Sequence, residues 1–200
     1  VSAEPRASVD ADLWLVVGLG NPGPGYAANR HNVGNMVANE LASRASTSFK
    51  SHRANALVAE GRSAGIRYVI AKPLSFMNLS GGPTAALVKY YKLDVSRLIV
   101  VHDELDIPFD TLRLKVGGGS GGQNGIKDVA AALGTPEFTR VRVGIGRPPG
   151  RQAPADFVLG NFSSTERAVL PNLISDAADA VELIASQGLS AAQLKFHTAT

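Results

Sequence analysis

Blocks of apolar and polar positions succeed one another along the chain, and their period switches between strand-like and helix-like. Leu13-Trp14-Leu15-Val16-Val17 is a short apolar run closed by Gly18, which predicts a buried strand. From Asn32 to Arg44 the apolar residues fall at helical spacing (Val33, Met36, Val37, Leu41). Ala54 to Glu60 and Ile66 to Ala71 read as a hairpin around Gly61-Arg62-Ser63-Ala64-Gly65. Ser80 to Tyr91 is expected to be a helix with Ala86, Leu87, Tyr90 and Tyr91 on its inner side. Arg97 to Val101 is β-branched and apolar, a central strand, whereas Thr111 to Val116 alternates and should be half exposed. Asn124 to Leu133 predicts a helix and Phe138 to Ile145 a strand. Ser163 opens a long helix that ends near Gln187-Gly188, with a capping box in Ser163-Ser164-Thr165-Glu166, and Ser190 to His197 predicts a last short helix.

Strands that alternate with helices imply an α/β fold, a single domain in which a twisted mixed β-sheet is flanked by helices on both faces. The hairpin excludes a purely parallel sheet. No internal repeat and no interdomain linker interrupts the pattern, so one domain is expected over 12–200, behind a frayed polar tail at 1–11. Gly117–Gly125 and Pro148–Pro154 read as long flexible loops of the kind that act as lids or contact loops.

Composition narrows the class. With 200 residues, 44% of them hydrophobic, there is enough chain for one full core. No apolar run approaches the ~20 residues of a membrane span, and residues 1–11 lack the basic-then-apolar order of a secretory signal. A cytoplasmic location without a membrane partner is therefore expected. Cysteine is absent, which rules out thiol catalysis, disulfides and cysteine metal sites. The net charge of +3 says little, but its distribution says more. Arg113, Lys115, Lys127, Arg140, Arg142, Arg147 and Arg151 crowd one stretch, and Arg140 and Arg142 alternate with Val141 and Val143. They are either a solvated sheet edge or a phosphate clamp.

Two motifs mislead. Gly18-Leu19-Gly20-Asn21-Pro22-Gly23 fits the dinucleotide fingerprint, but Pro22 and Pro24 oppose an immediate helix, and no strand-end acid follows where a ribose would need it. Gly118-Gly119-Ser120-Gly121-Gly122 fits a nucleophile elbow, with His197 late in the chain, yet so glycine-rich a run is too mobile to hold a strained serine. The histidines at 31, 52, 102 and 197 show no H-x-x-x-H spacing, so no metal site is expected.

A different set remains. Arg30-His31-Asn32 places an imidazole at a helix start, and Val101-His102-Asp103-Glu104-Leu105-Asp106 places carboxylates after a strand. A His–carboxylate pair can activate water near neutral pH. Asn21, Asn78 and Asn124 add amides at element ends beside glycine or proline, where α/β sheets bind ligands. Each has an ordinary alternative role as a cap, a turn residue or an ion pair.

In order, the chain carries Leu15-Val16-Val17-Gly18-Leu19-Gly20-Asn21-Pro22-Gly23, Tyr26, Arg30-His31-Asn32, Phe76-Met77-Asn78-Leu79-Ser80-Gly81, His102-Asp103-Glu104-Leu105-Asp106, the glycine run to Asn124-Gly125, and Arg142-Val143-Gly144-Ile145-Gly146. This series resembles the bacterial peptidyl-tRNA hydrolase family, most of all its actinobacterial branch, from about Leu13 to His197. The resemblance implies metal-free and cofactor-free hydrolysis of the ester joining a peptide to the terminal adenosine of tRNA. It implies that His31 is the general base, that Asp103 orients it, and that Asn21 distinguishes blocked from free aminoacyl-tRNA. Asn78 and Asn124 match substrate-binding asparagines, and Tyr26 and Phe76, with Met77 beside them, match residues at the tRNA end. Lys115 and Arg142 match a basic pair that grips a tRNA phosphate. The implied partner is peptidyl-tRNA, through its acceptor stem and CCA end, with no DNA. A monomer is expected, because no long apolar stripe is left over for a second copy. Gln123 stands where many members have histidine, and Gln193-Leu194-Lys195 departs from the commoner Gln-Asn-Arg. The competing reading is a non-catalytic RNA-binding protein on the same fold, as in the plant organelle splicing factors that resemble this family.

Overall fold

Strand β1 (Leu13–Gly18) is the apolar run, and it occupies the middle of the sheet. The other strands are β2 (Lys50–His52), β3 (Ala56–Ser63), β4 (Ile66–Pro73), β5 (Leu98–Glu104), β6 (Leu112–Val116) and β7 (Thr139–Gly144). They form one seven-stranded sheet in the order β2-β3-β4-β1-β5-β7-β6. β1 runs parallel to β4 and β5, and β5 parallel to β7, whereas β2–β3, β3–β4 and β6–β7 are antiparallel. The sheet is thus mixed, as the hairpin requires. The structure, a computed structural model, describes residues 12–197; the tail at 1–11 lies outside them.

Helices α1 (Val33–Arg44), α2 (Gly81–Tyr90), α3 (Asn124–Leu133), α4 (Pro154–Val158), α5 (Ser164–Gln187) and α6 (Leu189–His197) complete the fold. Strand alternation sends Val16, Ile99, Val101 and Val141 to one face, where Val37 and Leu41 of α1 and Leu173, Ala177 and Val181 of α5 meet them. Leu15, Val17, Leu98 and Val100 point to the other face, against Leu87 of α2 and Ile126 and Val129 of α3. Each fully buried Val or Leu contributes about 1.5–3 kcal/mol, and the two layers hold the α/β sandwich together. Among the described residues no helix is long and apolar enough to cross a membrane.

Several expectations need correction. The hairpin turns on Ala64-Gly65 alone, both at positive φ (50° and 81°), so its strands reach further than predicted. α2 buries Pro83, Thr84 and Leu87, while Ala86 and Tyr90 are exposed; Thr84 enters the core because its hydroxyl donates to the Ser80 carbonyl at 2.8 Å. Pro154 opens α4 rather than ending a loop, since proline suits the first helical turn. β2 is a short polar edge strand with no alternation to announce it. The capping box of α5 forms as expected, with Ser163 and Glu166 bonded reciprocally.

Two features fix the ends of the sheet. α1 lies so close to the sheet that a Cβ on Gly18 would collide with the Gly34 carbonyl, and one on Gly34 with the Val101 carbonyl. Gly18 thus serves helix–sheet contact, not a pyrophosphate. At the β6 edge, Leu114 N–H donates to His197 Nε2 (2.9 Å) and Gln193 Nε2 donates to the Leu114 carbonyl (3.0 Å), so α6 caps an edge strand.

Candidate active site

The carboxyl ends of β1, β4 and β5 meet under the glycine run, at the position where open α/β sheets bind ligands. Asp103 belongs to β5 itself rather than to a loop after it. Its side chain is 3% exposed, and its Oδ2 lies 2.7 Å from His31 Nδ1. His31 sits on a 3-10 turn (Arg30–Asn32) that leads into α1, so the close approach of α1 to β1 and β5 carries the imidazole to the carboxylate across 72 residues of chain.

That turn is held from the far end of the sequence. Asn29 makes a β-bridge with Asn161, and its Nδ2 donates to Asn161 Oδ1 at 2.8 Å. Arg30 N–H donates to the Gly160 carbonyl. The Arg30 guanidinium pairs with Glu166 at 2.8 Å and stacks 4.0 Å over the Phe157 ring. A carboxylate accepts hydrogen bonds only, so the proton in the His31–Asp103 contact rides on Nδ1, and Nε2 is left as a base.

Asp103 has a second partner. Gln123 Nε2 donates to Asp103 Oδ1 at 3.0 Å, while Gln123 Oε1 accepts from Ile126 N–H at 2.8 Å and caps α3. Gln123 therefore links the end of the glycine run to the His–Asp pair, a role that its sequence signal, a glutamine before a helical run, left open.

Asn21 follows β1 and is 7% exposed. Its backbone is clamped by Asn32, whose Oδ1 accepts from Asn21 N–H and whose Nδ2 donates to the Asn21 carbonyl, each at 2.9 Å. Its side-chain oxygen accepts the Met77 N–H at 2.7 Å. This last contact fixes the amide orientation and leaves the Asn21 NH₂ group without a partner among the described residues.

Around these groups opens a cleft of about 450 Å³, lined by Asn21, His31, Phe76, Met77, Asn78, Asp103, Gln123 and Asn124 and closed on one side by α4 residues. Asn78 and Asn124 are exposed within it. Met77 is at once core and wall. Phe76 is 53% exposed and meets Tyr26 edge to face, the ring centres 6.1 Å apart. Tyr26 itself stands outside the lining. The structure thus gathers His31, Asp103, Asn21, Met77, Asn78, Asn124 and Phe76 at one cleft, with Tyr26 at its rim.

Lys115 and Arg142 lie elsewhere, in an adjoining pocket of about 150 Å³ with His102, Glu104, Arg140 and Ser120. β7 is an inner strand, so the solvated-edge reading fails. Arg140 is 1% exposed and donates to the carbonyls of Gly118 (2.9 Å) and Gly119 (2.7 Å), anchoring the glycine run. Arg147 pairs with Asp106. Lys115 and Arg142 keep their donors: neither has a carboxylate partner among the described residues, and the Arg142 Nε is buried without a bond. Burial and the neighbouring cations depress the proton affinity of both side chains. Glu104 lines both cavities, and burial raises its pKa.

The other histidines are structural. His102 is buried, its Nδ1 donates to the Asp103 carbonyl at 2.7 Å, and burial lowers its pKa to about 4. His197 Nε2 accepts from Leu114 N–H at the β6 edge, so it does not serve Ser120 as the nucleophile-elbow reading requires.

Comparison with known proteins identifies the family. The model of the family described as peptidyl-tRNA hydrolase matches residues 15–200. The peptidyl-tRNA hydrolase of Leifsonia xyli subsp. xyli is 67% identical over 94% of this chain and 98% of its own. That of Frankia casuarinae is 62% identical over 92% and 93%. The crystal structure of peptidyl-tRNA hydrolase from Acinetobacter baumannii superposes with a TM-score of 0.85 at 32% identity, covering 94% of this chain and 96% of that one. On these grounds the chain belongs to the peptidyl-tRNA hydrolase family.

Proposed function

We propose that this chain hydrolyses the ester between a peptide, or an N-blocked amino acid, and the 3′-terminal adenosine of tRNA, with His31 as general base. The observation that carries the reading is the 2.7 Å His31–Asp103 contact at the floor of a cleft that also holds an unpartnered asparagine donor. Water is a poor nucleophile at pH 7. His31 Nε2 takes its proton as it attacks the ester carbonyl, a contribution typically worth about 10²–10⁴-fold. Asp103 fixes the tautomer and stabilises the imidazolium that forms. Gln123 in turn holds Asp103. The amides of Asn78 and Asn124 serve the attacking water and the tetrahedral oxyanion. The imidazolium returns its proton to the departing ribose oxygen, so the peptide leaves as a carboxylic acid and the tRNA with a free hydroxyl.

Substrate selection follows from the orientation of Asn21. Its NH₂ group donates to the carbonyl of the amide that blocks the amino acid. A free aminoacyl ester offers an ammonium instead, a donor facing a donor, and is rejected. The exposed Phe76 ring, buttressed by Tyr26, stacks on a base of the CCA end. Lys115 and Arg142 hold a backbone phosphate of the acceptor stem, which adds affinity without sequence choice.

The test is release of the blocked amino acid from N-acetyl-aminoacyl-tRNA by the wild type and by His31→Ala, with a chelator present. Fast release that the substitution abolishes, with tRNA affinity retained, is expected. An unchanged rate removes His31 from the mechanism. No release from folded wild type that still binds tRNA favours the RNA-binding reading.

A further inference from the structure

Lys115, Arg140 and Arg142 all face the pocket that adjoins the His31 cleft. They project from β6 and β7 to one side of the sheet, while Leu114, Val141 and Val143 point to the other. Lys115 and Arg142 are half-buried, whereas Arg140 is buried. The Arg140 guanidinium donates to the carbonyls of Gly119 (2.7 Å), Gly118 (2.9 Å) and Pro136 (3.3 Å) and lies 4.9 Å over the Phe138 ring. Burial, and then Arg142 beside it, lower its proton affinity, so this is an unfavourable place for a cation. What it holds there is backbone with little order of its own. Gly118 and Gly121 take positive φ (83° and 61°), a region that glycine enters without strain, and glycine also loses the most freedom when it is fixed.

The glycine run is a wall shared by two cavities: residues 119–121 line the adjoining pocket and 121–124 line the cleft. Arg140 ties its first half at Gly118 and Gly119. Its middle rests on Glu104, since a Cβ on Gly121 would lie 3.2 Å from Glu104 Oε2. Its far end is tied to Asp103 by Gln123 at 3.0 Å. A shift at Gly118 and Gly119 therefore reaches Gln123, which holds Asp103, and Asn124, which faces the cleft. We propose that Arg140 is a positioning residue of the hydrolytic reaction and not a third phosphate ligand: its planar fork on the Gly118 and Gly119 carbonyls sets the run so that Gln123 meets Asp103 and Asn124 meets the substrate. Lysine cannot take its place, because an ammonium is a point charge without a fixed pair of parallel donors. The inference rests on the hydrolase reading above and adds to it a residue that touches no reacting atom.

Arg140→Lys separates the two roles, because it keeps the charge and removes the fork. With N-acetyl-alanyl-tRNA as substrate, and rates taken per folded molecule, it is expected to lower kcat about tenfold, the scale of a sub-ångström displacement of a catalytic group. KM and the salt dependence of log kcat/KM should stay at their wild-type values. Arg140→Ala should lose more of kcat, again with the wild-type salt dependence. Millimolar guanidinium, but not methylammonium at equal ionic strength, should restore part of it by entering the pocket that Arg140 lines. Lys115→Ala, measured alongside, supplies the signature of a lost phosphate contact, a raised KM and a flattened salt dependence. A wild-type kcat in Arg140→Lys, or the Lys115→Ala signature in Arg140→Ala, overturns the assignment. If Arg140→Ala does not fold, Arg140→Lys decides alone. Failure of wild type to cleave N-acetyl-alanyl-tRNA would instead overturn the hydrolase reading.

Discussion

Replacing Asn21 by aspartate should invert the substrate preference while leaving the fold intact. In the wild type the two ends of this amide have separate tasks: Oδ1 accepts the Met77 N–H at 2.7 Å, and the NH₂ group faces the cleft. Aspartate keeps the oxygen that Met77 needs and turns the donor into a charged acceptor of the same shape. For a blocked substrate, a carbonyl then faces a carboxylate. Leaving that pair unbonded at a site 7% exposed costs about 2–3 kcal/mol, or about 30- to 150-fold in kcat/KM. For free aminoacyl-tRNA the ammonium gains a charge-assisted bond worth about 1.5–3 kcal/mol. The ratio of kcat/KM for N-acetyl-alanyl-tRNA to that for alanyl-tRNA should therefore fall by at least about 300-fold. Asn21→Ala also raises leakage onto unblocked substrate, but less informatively, because it strands the Met77 N–H as well. The assay is release of alanine or N-acetyl-alanine from the two tRNAs under identical salt. A ratio unchanged in Asn21→Asp, with thermal stability retained, would show that the filter lies elsewhere.

Further expectations concern the support and the clamp. Lys115→Ala should raise KM at nearly constant kcat and flatten the dependence of log kcat/KM on log salt by about one unit, as for one lost phosphate contact; an effect confined to kcat would refute the clamp. Gln123→Leu removes both the bond to Asp103 and the cap of α3, so kcat should drop about tenfold with little change in KM, and stability by about 1 kcal/mol; an unchanged kcat would leave Gln123 with the helix alone. His102 holds a folded pKa of about 4 against 6.5 when unfolded. The unfolded chain therefore takes up the proton first, and stability present above pH 6.5 is lost as the pH falls toward 4. Urea unfolding from pH 7 to 4 should show wild type losing on the order of 3 kcal/mol more than His102→Gln; parallel curves would mean that His102 takes up its proton as readily in the fold as in the unfolded chain.

Local chemistry made much of the fold legible. β1 and the first half of β5, Leu98 to Val101, are continuous apolar runs, α1 and α5 carry helical spacing, and α5 opens on a reciprocal cap of Ser163 and Glu166. His31, Asp103, Phe76, Met77 and the three asparagines of the cleft were legible too, because the motifs that hold them are short and ordered. What local pattern could not supply was pairing over distance. The His31–Asp103 contact depends on the parallel register of β1 and β5 and on two glycines that let α1 approach the sheet. Alternation placed Arg140 and Arg142 on one face but could not say that carbonyls of the glycine run occupy the first and leave the second free. α4 was hidden because its proline and charge composition matches that of a loop. The face of α2 was misjudged because a threonine bonded to its own helix can be buried like an apolar residue.

The anchoring of the His31 turn by Asn161, Gly160 and Glu166 has a temporal consequence. During its synthesis this protein is itself a peptidyl-tRNA, a member of the substrate class of its family. His31, Asp103 and the asparagines of the cleft all precede Asn161 and Glu166 in the chain, so the strut that holds the His31 turn is translated after them. A nascent chain that ends between Asn124 and Gly160 carries these groups without the contacts that align them. Alignment of the His31 turn thus waits until the chain has grown past Glu166, well after His31 and Asp103 have been made.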